Sequence, residues 1–297
     1  MIYTCTSNPS LDYYVTVDSI NSGEINRSSH EMYEAGGKGV NVSIVLNNLN
    51  IPSVTLGFLG GFTKDYYLSH ISKYPFIQPL FTTISGNTRI NIKVMTGDHE
   101  TGINAKGPHI TEEEFFKFSK RLQNIYEGDY FVLSGNIEED IKEKVIRVIH
   151  ELAAEKVRIV LDTDPDVTEK CLDIKPYLVK ISSNNLSYWN MSIEEALNHI
   201  IEKGAVNAMY SNVEESSYLY TSDKKYQCDT LPGSLVNTTG SSDSMVAGFL
   251  YASLRGGDSK ERFIYANAAS IATTMSNDLA SKEKVEEVFG RIQVNEI

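Results

Sequence analysis

Two short segments hold residue types that could do chemistry together. The first is Gly36-Gly37-Lys38-Gly39-Val40-Asn41, running into a helix-like stretch from Val40 to Leu49. Glycines there let backbone N–H groups approach an oxygen-rich ligand at a helix N-terminus, Lys38 adds a point charge, and Asn41 offers an amide that both donates and accepts. A plain strand-to-helix turn with a solvated lysine would read the same. The second is Asn237-Thr238-Thr239-Gly240-Ser241-Ser242-Asp243, followed by the small and apolar run Ser244 to Leu250. Small residues ahead of a buried helix make an anion hole from unspent N–H groups, and Asp243 in the first turn stands where a general base could act. Alone, such an aspartate is more often a helix cap; paired with the first segment it becomes a candidate base.

The elements that must position these segments follow from hydrophobic periodicity. Short β-rich runs alternate with helix-length amphipathic runs, which is the pattern of an α/β protein whose doubly wound, mostly parallel sheet carries helices on both faces. Core strands are predicted at Ile2–Thr6, Val54–Phe58, Tyr130–Leu133, Val157–Leu161, Tyr177–Ile181 and Ala205–Ser211. A capping box starting at Thr111 and another pairing Ser192 with Glu195 open helices, and Gly204 closes the second. Two stretches, 12–35 and 88–107, alternate at period 2 without helices, the latter turning at Gly97-Asp98; they predict a small β-sheet lid. With no repeat or long linker, residues 1–297 are expected to form one domain.

Composition narrows the partners. The chain has 297 residues and a formal net charge of −12, which opposes the basic footprint that nucleic-acid binding requires. Three scattered cysteines without a C-x-x-C spacing suggest a reducing compartment rather than a disulfide framework or zinc site. No stretch reaches 18 apolar residues and the N-terminus lacks a leader pattern, so a cytoplasmic protein without a membrane partner is expected.

In combination the motifs resemble the ribokinase-like, or PfkB, carbohydrate kinases, and within them the 1-phosphofructokinase and tagatose-6-phosphate kinase branch. The similarity runs over nearly the whole chain: T-S-N-P-S-L-D at 6–12, N-R-S-S at 26–29, G-G-K-G-V-N at 36–41, G-F-L-G-G-F-T at 57–63, T-R-I-N at 88–91, L-S-G-N at 133–136, and 240–249. The resemblance implies ATP and Mg²⁺ on one side of a cleft and a sugar phosphate on the other. It makes Asp243 the catalytic base and Gly240, Ser241 and Ser242 the anion hole for the transferred phosphoryl group. It places Asp12, Gly36, Gly37, Asn41, Asn91 and Ser134 on the acceptor side, and Lys180, Ser182, Asn185, Ser211 and Asn267 on the nucleotide side, with no residue assigned directly to metal. Arg27, Lys38 and Arg89 fall in segments assigned to the acceptor, and three cations there suit an acceptor that already carries a phosphate.

Several nucleotide-side motifs read as atypical: Ser242 where a glycine is usual, Ser182 and Asn185 where the family has asparagine and glutamate, Val213 and Ser216 in a segment that has lost both glycines, and Asn104-Ala105-Lys106-Gly107 near the lid. The expected activity is phosphorylation of fructose 1-phosphate by ATP, with tagatose 6-phosphate as the second acceptor and a catalytically weakened sugar-phosphate-binding protein as the rival. A homodimer through the lid is expected by analogy.

Overall fold

The computed structural model describes residues 1–97, 99–212, 215–231, 235–236 and 238–297. Of the residues singled out above, Asp98, Val213 and Asn237 lie outside these. The elements are β1 (Ile2–Thr6), β2 (Ser10–Thr16), β3 (His30–Gly36), α1 (Lys38–Asn48), β4 (Ser53–Gly60), α2 (Gly61–Ile71), β5 (Ile77–Pro79), β6 (Thr82–Ile84), β7 (Arg89–Thr96), β8 (His99–Ile103), α3 (Glu112–Leu122), β9 (Tyr130–Gly135) and α4 (Lys142–Ala154). The second half continues with β10 (Arg158–Thr163), α5 (Pro165–Lys170), β11 (Leu178–Ile181), α6 (Ser183–Trp189), α7 (Ile193–Glu202), β12 (Ala208–Tyr210), β13 (Ser217–Tyr220), β14 (Lys225–Cys228), α8 (Ser241–Leu254), α9 (Ser259–Thr274), α10 (Lys282–Phe289) and β15 (Val294–Glu296).

Among the described residues the main sheet runs β15-β14-β13-β12-β11-β10-β9-β1-β4-β5, with β6 also paired to β4. Its strands are parallel from β5 to β12 and antiparallel from β12 to β15. Period-2 side chains divide between two cores, as burial on both faces requires. Phe131, Leu133, Ile159, Leu161 and Val179 pack with α3, α4 and α7, whereas Tyr130, Val132, Val160 and Leu178 pack with α1, α8 and α9. The order reverses around β1, whose neighbours are β4 and β9, so the carboxyl ends of β1, β9 and β10 frame the crevice where open α/β sheets bind ligands.

The predicted core strands are present, with moved ends. The strand expected from Ala205 is only Ala208–Tyr210, because its first residues finish α7 instead. Gly204 N–H donates to Ile201 O and Ala205 N–H to Ile200 O, a Schellman closure that uses Ala205 before any strand can begin. The antiparallel strands β13, β14 and β15, each three or four residues long, were not foreseen.

The two period-2 stretches form a separate four-stranded sheet, β3-β2-β7-β8. Its β2–β7 pairing is parallel and joins segments far apart in sequence, which sets Ser10 beside Arg89 and Asp12 beside Asn91. Antiparallel β3 places Glu34 beside Asp12 and Gly36 beside Ser10. One face of this sheet therefore carries Asp12, Glu34, Asn91 and Arg89, and the opposite face carries Tyr13, Val15, Tyr33, Ile92 and Val94. No helix among the described residues is long and apolar enough to cross a membrane.

Helix α8, which carries Asp243, is buried along most of its length and is held by its crossing with α9. At the crossing a Cβ on Gly248 would come within 2.2 Å of Tyr265 O, a backbone atom that cannot swing away. In a free helix Gly→Ala gains about 1 kcal/mol, but overpacking of about 1–3 kcal/mol or more opposes it here. Gly248→Ala is therefore expected to lower the urea midpoint at unchanged m-value; a midpoint equal to or above the parent's would show that the crossing is not tight.

Candidate active site

The two sequence segments meet through their helix N-termini. Gly240, at φ 73°, caps α8 in the left-handed region that glycine adopts without strain. The turn brings Ser241, Ser242 and Asp243 into the first turn of α8, where N–H groups lack intrahelical acceptors. Ser241 N–H is engaged by Thr238 O at 3.3 Å. Ser242 follows the cap with right-handed helical backbone, so its side chain costs no strain where a glycine was expected.

Across the crevice, Asn41 Nδ2 of α1 donates to Asp243 Oδ2 at 2.8 Å. The other oxygen, Oδ1, is buried without a partner, and the whole side chain is 4% exposed. Burial, and then the like charge of Asp162, push the Asp243 carboxyl up to about 6. A carboxylate with one oxygen pinned and the other unspent is suited to take a proton from an incoming hydroxyl.

Asp162, at the end of β10, was not singled out from the sequence, although a carboxylate at the carboxyl end of a predicted core strand is a usable signal. Its Oδ1 accepts from Lys180 Nζ at 3.2 Å and lies 3.7 Å from Lys38 Nζ. Lys180, on β11 and 2% exposed, also donates to Ser242 Oγ. Burial works against ionisation of Asp162, but the two ammonium groups outweigh it and hold its carboxyl below the ordinary range. Lys38 is raised in turn, first by Asp162 and further by Asp243 and Asp164.

The lid supplies the opposite wall. Asp12 Oδ1 accepts from Ser10 Oγ at 2.7 Å and from Asn91 Nδ2 at 2.8 Å, and Asn91 Oδ1 accepts from Ala105 N–H. Gly36 passes so near Asp12 that a Cβ would lie 2.6 Å from Oδ2, and Gly37 leads into α1 as its N-cap. Arg89 donates from its Nη atoms to Asn8 O and Ala105 O, both at 3.0 Å. Asn8, also unforeseen, donates to Glu138 and Lys106 O. Ser134 lies on β9 beside Asp162 in register, its hydroxyl buried without a partner. Arg27 sits apart, exposed on the connection between β2 and β3.

A cavity of about 200 Å³ opens on the other side of the α8 N-terminus. Ser182, Ser211, Asn267, Ser241 and Ser242 lie along it, with Leu231, Met245, Ile271 and Met275 as apolar wall. Asn267 is tied down by Ser217 Oγ at 2.5 Å and by Phe263 O. Asn185 is buried behind Ser182, its Oδ1 accepting from Ser182 N–H at 3.0 Å.

A buried carboxylate at a helix N-terminus, between a polar lid wall and a half-apolar cavity, suits a phosphoryl-transfer centre, and the pfkB family carbohydrate kinase model matches residues 6–284. The chain belongs to the pfkB family of carbohydrate kinases. It is 35% identical to the 1-phosphofructokinase of Bacillus subtilis, over 100% of both chains. It is 28% identical to the D-tagatose-1-phosphate kinase of Bacillus licheniformis, again over 100% of both. The solved structure of phosphofructokinase-2 from Escherichia coli superposes with a TM-score of 0.92 over 98% of each chain at 22% identity, which shows the shared ribokinase-like fold. The pfkB protein is thus an ATP-dependent phosphotransferase with an alcohol acceptor. The expectation that its nucleotide side is atypical is not borne out: Ser242 sits in unstrained helix and Asn185 closes the start of α6 by capping, the role a glutamate at that position would also fill.

The state of Asp243 yields a two-part prediction. Asp243→Asn keeps the shape but accepts no proton, so kcat should fall by about 10²- to 10⁴-fold, while the parent rate should decline as pH drops below about 6. Because the folded carboxyl binds its proton more tightly than the unfolded one, Asp243 costs stability as pH rises from 3.8 to about 6 and beyond. The asparagine variant should therefore melt higher than the parent at pH 7.5, with the gain shrinking at pH 5. Equal melting temperatures at pH 7.5, or more than half the parent kcat, would remove Asp243 from this role.

Proposed function

We propose that the protein phosphorylates a ketohexose monophosphate, with fructose 1-phosphate as first acceptor and the tagatose phosphates as second. The observation that carries the reading is the unspent Asp243 Oδ1 between the Asp12–Asn91 wall and the nucleotide cavity. The acceptor hydroxyl is bound by Asp12, Asn41 and Asn91 and gives its proton to Asp243 as its oxygen attacks the γ-phosphorus of ATP. Charge on the moving group is met by the N–H groups opening α8. Arg89, at the lid end of the row, is proposed to face the acceptor's own phosphate, and the apolar wall of the cavity suits the base of ATP. The names of the full-length relatives support a 1-phosphate acceptor.

Mg²⁺ is proposed to enter with ATP. The donor set fits a hydrated ion carried by the nucleotide phosphates: Asp162 Oδ2 and Asp243 Oδ1 are buried without partners, and no three His, Cys, Asp or Glu side chains cluster as a cage among the described residues. When bound, the ion neutralises charge on the β- and γ-phosphate oxygens.

A coupled assay with ATP, Mg²⁺ and a panel of fructose 1-phosphate, fructose 6-phosphate, tagatose 1-phosphate and tagatose 6-phosphate tests the reading. The highest kcat/KM is expected with fructose 1-phosphate. Tight phosphosugar binding without turnover of any member would favour a binding protein instead.

We also propose a homodimer through the outer face of the lid. That face carries Tyr13 stacked on Tyr33 at 4.4 Å, with Ile92, Val94 and an exposed Ile103 beside them, an apolar surface standing off the body. Ile92→Glu is expected to halve the mass seen by analytical ultracentrifugation while the circular dichroism spectrum is retained; a parent that sediments as a monomer would sink the proposal.

A further inference from the structure

Sequence similarity put Lys38 and Arg89 on the same, acceptor-phosphate side of the cleft, and the fold separates them. Arg89 lies in the lid, and the carboxylates that act on it are Asp12 and Glu138. Those acting on Lys38 are Asp162, Asp243 and Asp164, all on the sheet and α8 side. We infer that Lys38 is a catalytic residue whose ammonium follows the phosphoryl group in transfer, rather than an anchor for the acceptor's phosphate.

Two observations and one general property of lysine carry this inference, which rests on the phosphoryl-transfer reading above. First, Lys38 opens α1 and Asn41 lies one turn further on, so the helix that pins Asp243 Oδ2 also carries the ammonium that lies 3.7 Å from Asp162 Oδ1. Second, Asp162 Oδ1 serves both Lys180 and Lys38, so one buried negative charge faces two positive ones. Lys180 is spent: it is 2% exposed and bonded to both Asp162 and Ser242. Lys38 is not, since its side chain is 45% exposed and its contact with Asp162 is a longer 3.7 Å. Third, a lysine on a flexible four-carbon stem can keep contact with an equatorial phosphoryl oxygen as the group moves from ATP to the acceptor oxygen. Asp162 then acts as a tether that keeps the ammonium at the α8 N-terminus before ATP arrives. In the step itself the bond from the γ-phosphorus to the ADP oxygen breaks, the bond to the acceptor oxygen forms, and the acceptor proton passes to Asp243; Lys38 keeps all its protons throughout.

The test separates transfer from binding in the full-length enzyme. For Lys38→Met, kcat should fall by about 10²-fold or more, while the Kd of fructose 1-phosphate, measured by calorimetry without nucleotide, stays within about threefold of the parent. Binding of ADP, aluminium fluoride and Mg²⁺ in the presence of fructose 1-phosphate should weaken far more than binding of ATP alone, which a merely structural role would not produce. Arg89→Ala is the counterpart and should weaken the acceptor Kd without the selective loss of the aluminium fluoride complex. If Lys38→Met does not fold, Lys38→Arg carries the test, with kcat reduced and acceptor Kd unchanged. A more than tenfold loss of acceptor affinity with near-parental kcat would overturn the inference and return Lys38 to the acceptor's phosphate; unchanged kcat and Kd would overturn it as well. A parent that turns over no ketohexose phosphate would instead fail the kinase reading, and the inference with it.

Discussion

Two carboxylates, Asp162 and Asp243, are buried close enough for each to disfavour the other's charge, and the centre of this protein is built to keep both in place. Burying an ion costs several kcal/mol unless opposite charge and hydrogen bonds compensate. Compensation here is unequal. Asp162 has two ammonium groups beside it and is held below the ordinary carboxylate range, whereas Asp243 accepts a hydrogen bond from Asn41 and feels Lys38 and Lys180 too weakly to offset burial, which leaves its carboxyl raised to about 6. The inequality separates the two: one carboxylate is held between cations, and the other keeps an oxygen without a partner, as the proposed base requires.

That division depends on which elements can reach one point. Lys180, Asp162 and Ser134 come from the carboxyl ends of neighbouring parallel strands, where parallel register delivers side chains in a row. Asn41 and Lys38 come from the start of α1, and Asp243 from the start of α8, so two helix N-termini converge where phosphoryl oxygens would be stabilised. The buried crossing of α8 with α9 fixes the approach from the other side, and only small residues allow it.

The lid adds the polar wall proposed for the acceptor through an uncommon device, a parallel pairing between β2 and β7 in a small sheet whose other pairings are antiparallel. The pairing puts Asp12 and Asn91 in hydrogen-bond contact, and the alternation of the strands then leaves an apolar outer face on the same sheet. The proposed acceptor wall and the proposed dimer surface are thus two faces of one four-stranded sheet.

Local order was legible from the residues alone. The buried run Ile2–Thr6, the period-2 lid strands and the capping boxes at Thr111 and Ser192 all depend on side chains a few positions apart, and each formed as expected. Composition likewise marked the two motif segments, because glycines and small residues before a buried helix have a meaning independent of context. What required tertiary structure was every relation between distant charges: Asn41 meets Asp243 across 202 residues, Asp12 meets Asn91 across 79, and Asp162 entered the site only as the partner of two lysines. The short strands β13 to β15 were missed for a similar reason, since three or four residues carry little periodic signal and become strands by pairing with one another. Secondary structure follows from neighbours along the chain, but a carboxylate's ionisation and a lysine's role depend on distances through space, which the parallel sheet and the convergence of two helix ends decide.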